Sequence, residues 1–316
     1  HWIVRYLGRR LDKLKLSQKT GLKNLKYVWT GVSENQDSFP GFISIKGPYV
    51  EKESMENASA KRTVLEQKPE NKTSLIQDVE FNQADRDGLY KSIFNRRDVR
   101  GQFKPDPIPN DVLARILQAA HHAPSVGFMQ PWNFLVIQSP QVKEQIHNAF
   151  VSANEEAANM FEDEQQKTYR ALKLEGIREA PINICITCDR DKAGPVVIGR
   201  THMSDMDIYS SVCAVQNLWL AARAEGVGVG WVSIMEEAAF HDILGIPEDI
   251  IPVAYLCMGY VSHFNKEPEL ETANWRKRLP LSKQVYFDQW QDTRSTEQEP
   301  LMAELEKQAD FSLQYK

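Results

Sequence analysis

Hydrophobic positions recur along this chain with two different periods, and each change of period marks an element boundary. Leu89, Tyr90, Ile93, Phe94 and Arg97 fall at helical spacing, so one face of a helix leads into the arginines that follow. Val112, Leu113, Ile116, Leu117 and Ala120 repeat the pattern, with Asn110 as the expected N-cap. Trp132 to Gln138 reads as a short apolar strand, after which Ser139-Pro140 reads as the cap and first turn of another helix. Two helices are expected over residues 140–178. Alternating Ile182, Ile184 and Ile186 then predict a strand over Pro181–Thr187. Residues 204–225 are apolar almost all round, through Met206, Tyr209, Val212, Val215, Leu218 and Leu220, which marks a central buried helix. A glycine-rich strand follows, then a helix near 236–244 and a strand over Ile251–Tyr260. Strands alternating with helices predict a sheet covered by helices. Strand order does not follow from the pattern.

The outer zones differ in composition. Residues 1–50 form a basic N-terminal region, a remnant of a preceding domain or a membrane-surface helix. Within it, residues 1–27 carry eight Lys/Arg against one acid, with Ile3, Leu7, Leu11 and Leu14 at helical spacing. Gly41 to Val50 reads as strand and turn. Residues 51–83 are rich in Glu, Lys, Asn and Gln and read as a linker. The main domain is expected over 84–290. Residues 291–316 hold six acids and three bases and read as a helical tail with a solvated face.

Charge and cysteine usage narrow the function classes. A net charge of −5 over 316 residues gives no basic field for nucleic acid. Four cysteines are too few for a secreted disulfide scaffold, so a reducing, cytoplasmic setting is expected. Cys185 and Cys188 have CxxC spacing but lie in the predicted strand, which favours buried thiols over a redox pair. The seven histidines form no HExxH, and no metal site is expected. No apolar run reaches the roughly 18 residues of a membrane span. The sequence starts at His1 rather than Met, so a leader or fused domain could lie upstream. Neither a GxGxxG after a first strand nor a Walker string is found.

Three strings converge on one flat, phosphorylated ligand. Arg96-Arg97-Asp98-Val99-Arg100 places three guanidinium groups within five residues, which suits a phosphate monoester. If the helix continues, Arg96 and Arg100 share a face and Arg97 points elsewhere, into a salt bridge. Ala123 to Phe134 is a Pro/Ser/Gly turn leading to Trp132 and Asn133, where backbone can approach a ring. Gly226, Gly228 and Gly230 leave a strand nearly bare on one face, where a ring could lie. Flavin mononucleotide (FMN) has both the phosphate and the ring.

In this order the strings resemble the nitroreductase superfamily of flavoproteins, and within it the 5,6-dimethylbenzimidazole synthase branch, over roughly residues 84–290. Leu172 to Ile177, Gly199 to His202, Ser211 to Arg223 and Trp275 to Leu281 extend the resemblance. It implies an α+β fold, a mixed sheet flanked by helices in an intertwined homodimer. It also implies that FMNH2 is consumed as a substrate, with O2 as co-substrate, giving 5,6-dimethylbenzimidazole for the vitamin B12 lower ligand and erythrose 4-phosphate. NAD(P)H would enter only indirectly, through a separate flavin reductase. The alternatives are an NAD(P)H-dependent nitroreductase or dehalogenase that keeps its FMN, and a non-catalytic flavin-binding module.

At residue level, the resemblance implies that Asp98 is catalytic, since ordinary superfamily members carry Ser or Thr there. The competing reading is a charge partner for three arginines with a low pKa. Ser233, with no G-x-S-x-G elbow around it, reads as a hydrogen-bonding or proton-relay group. Arg96, Arg97, Val99, Arg100, Ser125, Met129, Gln130, Asn133, Leu174, Gly230 and Arg278 make up the expected flavin-binding set. Arg278, chosen over Arg276, stands for the late basic residue that the superfamily returns to the phosphate. Trp132 is expected in the core.

Overall fold

The computed structural model describes residues 80–292, 299–309 and 311–315. The readings made for the basic N-terminal region and for nearly all of the linker lie outside the described residues. Four strands form the sheet: β1 Trp132–Ile137, β2 Ile182–Asp189, β3 Val227–Val232 and β4 Ile250–Tyr260. Their order is β1-β2-β4-β3, with every neighbouring pair antiparallel. The mixed character comes from one parallel bridge, Asp98 to Val229, on the outer edge of β3.

Side-chain alternation sorts the sheet into two apolar faces. Ile182, Ile184 and Ile186 of β2 point to one face with Val227, Val229, Leu256 and Met258. There they meet α2 (Asn110–His121) and α5 (Met206–Ala224), whose Ala214, Val215, Leu218 and Ala222 are all buried. Cys185, Tyr255 and Cys257 point to the opposite face, against Ile146 and Phe150 of α3 (Pro140–Ala158) and Phe240 of α6 (Glu237–Leu244). The α4 helix (Asp163–Ala171) follows α3, and the short α7 (Glu269–Thr272) follows β4. Ser139 caps α3 as its sequence suggests, accepting from the backbone N–H of Val142 at 3.4 Å. Trp132 is buried, as expected.

Four details depart from the sequence reading. Asn110 is the first helical residue of α2 rather than its cap, because Pro109 occupies the cap position and no side chain bonds there. The α1 helix (Gln83–Asn95) stops one residue before Arg96, whose ψ of 145° is extended. Arg96 and Arg100 therefore do not share a helical face. Residues 96–100 run extended because Asp98 and Val99 pair with β3 instead of continuing the helix. Finally, the tail does more than present a solvated face. After α8 (Pro300–Lys307), a 3-10 turn at Phe311–Tyr315 packs onto Tyr90 and Phe94 of α1.

Candidate active site

Val99 donates its backbone N–H to Val229 O at 3.0 Å, which lays the 96–100 stretch alongside β3. At the next rung the Asp98 side chain takes over: its Oδ1 accepts the backbone N–H of Trp231 at 2.9 Å. Its Oδ2 pairs with the Arg100 guanidinium. Arg100 is itself buried, and its other arm donates to Glu269 Oε2 at 2.9 Å. Gln102 and Asn265 complete the hold on Glu269 Oε1, at 2.5 and 2.9 Å. Arg100 is thus sandwiched between two carboxylates.

The Asp98 side chain keeps 32% of its surface exposed, yet protein surrounds it closely enough that burial raises its pKa. The Arg100 charge and the Trp231 N–H pull the other way and do not win. The expectation of a low pKa is therefore overturned: burial, helped by the neighbouring Glu269 charge, outweighs the pull of Arg100, the Trp231 N–H and Arg96. Arg97 donates to the carbonyls of Phe94 at 2.9 Å and Arg96 at 2.6 Å, and to that of Lys266. The Arg96 guanidinium lies 5.0 Å from the centre of the Trp219 ring.

The glycine strand also has a different explanation from the one expected. A Cβ on Gly230 would come within 2.0 Å of Val99 O, and one on Gly228 within 2.5 Å of Val261 Cγ1. The bare face of β3 is filled by the protein's own 98–99 backbone and by Val261, not left open for a ring. Gly176 serves the same end: its Cβ would meet Arg100 O at 2.6 Å, so the segment holding Leu174 passes directly beneath Arg100. Leu174 itself is half-buried and packs against the second apolar face, beyond the end of α4.

Arg278 is exposed, and its charge acts on Arg97, whose pKa is lowered first by burial and then by Arg96, Arg278 and Arg223, against the opposing charge of Glu267. Arg223 was not singled out from the sequence. Its Nε donates to Asn95 O at 3.0 Å, and its guanidinium lies 4.0 Å from the centre of the Phe264 ring. Arg96, Arg97, Arg223 and Arg278 thus lie within reach of one another's charge, and guanidinium groups suit a phosphate monoester such as the one FMN carries. Glu269 was also missed: a lone Glu in a polar stretch gives no signal of a partner 169 residues earlier.

Ser233 lies just past the end of β3 and is exposed. With Trp231, Met235, Phe240, Pro252 and Tyr255 it lines a cavity of about 170 Å³. Trp231 therefore links the two candidate catalytic residues: its backbone holds Asp98, and it shares the cavity with Ser233.

Ser125, Met129, Gln130 and Asn133 gather elsewhere. Gly127, Phe128 and Gln130 have φ of 59°, 51° and 45°, a tight turn at left-handed angles that cost a non-glycine residue about 1 kcal/mol or more. Ser125 Oγ fixes the turn by accepting the Gln130 N–H at 3.1 Å. Met129 is buried, and Asn133 Oδ1 accepts from Lys192 at 3.1 Å. This group adjoins β1, whereas Asp98 adjoins β3, the opposite edge of the sheet. Three strand spacings, roughly 14 Å, separate the edges. One copy of the chain does not bring the two groups together. Among the described residues no cluster could hold a metal ion.

An antiparallel sheet between two helical layers, with a cationic strand packed on its edge, defines the class of the protein. The chain belongs to the nitroreductase family, whose model matches residues 93–260. It is 40% identical over 200 residues to the 5,6-dimethylbenzimidazole synthase of Rhodospirillum rubrum, covering 63% of this chain and 94% of that protein. It is 37% identical over 200 residues to the enzyme of the same name from Rhodobacter capsulatus, covering 63% of this chain and 96% of that one. Among solved structures, oxidised iodotyrosine deiodinase bound to FMN and 3-iodo-L-tyrosine superposes with a TM-score of 0.52 at 19% identity, covering 64% of this chain and all of that one. That likeness concerns the fold.

Proposed function

We propose that this chain is an oxygen-dependent 5,6-dimethylbenzimidazole synthase that consumes FMNH2. The observation that carries this reading is Asp98, a carboxyl group with a raised pKa held against β3 by Trp231, in a chain 40% identical to a protein of that name. In this reading Arg96, Arg97, Arg223 and Arg278 hold the phosphate. Bound reduced flavin supplies the electrons for O2, and Asp98 holds or moves the protons. Burial suits Asp98 to that task, since a proton is retained to higher pH than on an ordinary carboxyl. Ser233 relays protons at the mouth of the neighbouring cavity. NAD(P)H acts through a separate flavin reductase.

The active unit is a homodimer. The placement of the turn at 125–133 and the Asp98 strand on opposite sheet edges supports this, with a second copy completing each site. Phe128, Val196 and Ile198 beside that turn are 82%, 78% and 85% exposed, an apolar surface suited to cover by a partner.

The test is anaerobic loading with FMNH2, admission of O2, and chromatography of the products with mass detection. Dimethylbenzimidazole appearing in proportion to FMN lost supports the reading. Return of intact oxidised FMN sinks it and leaves a flavin-retaining oxidoreductase or a flavin-binding module.

A further inference from the structure

The 3-10 turn at Phe311–Tyr315 lies far beyond the matched family region, which ends at residue 260. Its target is α1, a helix with no fully buried residue of its own. Tyr90 and Phe94 of α1 stack 5.9 Å apart. Phe311 meets them edge-on at 5.4 and 5.9 Å, and Tyr315 covers them at 5.4 and 5.8 Å. Two polar ties fix the register: Asn95 Nδ2 donates to Tyr315 O at 2.7 Å, and the Tyr315 hydroxyl lies 3.3 Å from Asp87 Oδ1.

Asn95 is the last residue of α1, and the arginine cluster begins at its C-terminal side. Its carbonyl accepts the Arg223 Nε, and the carbonyl of Phe94 accepts an Arg97 arm. Two of the cluster arginines are therefore oriented by the same helical turn that the tail clamps, and Arg223, Asn95 and Tyr315 line one cavity. The Trp219 indole N–H, donating to Arg97 O at 3.3 Å, fixes the exit of the chain toward Asp98.

We propose that Phe311 and Tyr315 are positioning residues for the phosphate-binding arginines, acting through Asn95 and the last turn of α1. The proposal rests on the reading of those arginines as the FMN phosphate site, and not on the fate of the bound flavin. A clamp of this kind sets affinity for the phosphate and leaves the ring contacts alone, so its signature is the preference for FMN over riboflavin, which lacks the phosphate.

The experiment measures dissociation constants of oxidised FMN and of riboflavin by flavin fluorescence, on the full chain and on Tyr315→Ala, Phe311→Ala and Tyr315→Phe. The two alanine variants are expected to bind FMN about tenfold more weakly, the scale of one or two lost aromatic pairs. Riboflavin affinity, which also reports that the variant is folded, is expected to stay within about twofold. Tyr315→Phe keeps the rings and the Asn95 bond to the residue 315 carbonyl and loses only the longer hydroxyl contact with Asp87, so it is expected to bind FMN within about twofold of the unaltered chain. Equal losses for both flavins, or no change for FMN, overturn the proposal. Phosphate selectivity that depends on the tail in a chain that returns FMN intact would uphold the clamp while removing the synthase reading.

Discussion

Asp98 and Trp231 are joined by a 2.9 Å hydrogen bond from the Trp231 backbone N–H to a carboxylate oxygen, where a parallel ladder would otherwise run on through backbone acceptors. The side chain ends the ladder and is immobilised by it. A carboxyl group fixed in this way can be aimed at a ligand without reorganising as the reaction proceeds. Asp98 thus has a structural role, and its raised pKa is what the proposed chemical role would use.

Substitution at this position separates the two roles. Asp98→Ser keeps a hydroxyl that can accept from Trp231 but removes the titrating group. Dimethylbenzimidazole formation is expected to fall by about 100-fold or more, the usual contribution of a positioned acid or base. FMN affinity is expected to change only a few-fold. Single-turnover product analysis beside an FMN titration checks this, and a serine variant that retains its yield would show that the carboxyl is dispensable.

The raised pKa of Asp98 has a thermodynamic signature of definite sign. Between the ordinary value of 3.8 and the raised one, the folded chain binds more protons than the unfolded chain. Stability contributed by this group therefore falls as pH rises through that window and is level above it. Asp98→Asn removes the titration, so its Tm relative to the unaltered chain should climb as pH rises above the ordinary value of 3.8 and level off once the raised pKa is passed. Melting curves by circular dichroism test this; a Tm difference that shrinks as pH rises would contradict the assignment.

Gly230→Ala should be far more harmful than its size suggests. The added Cβ meets the Val99 carbonyl at 2.0 Å, and that oxygen belongs to backbone held by its own ladder bond. Either β3 or the Asp98 strand must shift. The expected cost is about 1–3 kcal/mol or more, visible as a Tm lower by several degrees, with FMN affinity falling alongside. Unchanged stability and binding would mean that the strand packs less closely on β3.

The CxxC pair should be inert. Burial in β2 pushes the Cys185 thiol up to about 12 and Cys188 to about 11, and Cys257 is raised as well. Only Cys213 is partly exposed. A thiol reagent at neutral pH is expected to label at most one cysteine rapidly in the folded chain and all four after denaturation. Fast labelling of Cys185 or Cys188 would reopen a redox role.

Much of the fold could be read from local pattern. The all-round apolar run of α5, the isoleucine alternation of β2 and the Ser139-Pro140 cap each carry their own signal within a few residues. The path of residues 96–100 was not legible in this way. Nothing near Arg96 says that the chain leaves the helix, because the competing interaction is a β-ladder to Val229, far away in sequence. The same holds for Tyr90 and Phe94, whose apolar face is plain but whose covering residues come from the tail. At the site, residue types were visible and partners were not. The arginines stand out in the sequence as candidate phosphate ligands, yet Arg100 is committed to Asp98 and Glu269, while the unselected Arg223 joins the cluster. Gly230 was expected on a bare face open to a flavin ring, and what lies against it is the chain's own backbone at Val99.

Two indoles border this arrangement. Trp219 lies beneath Arg96 and 6.5 Å from the ring of Trp231, which carries Asp98 on its backbone. Tryptophan emission overlaps flavin absorption, so the site contains its own optical reporter: arrival of the ligand should quench intrinsic fluorescence, and its destruction should restore the light without any label being attached.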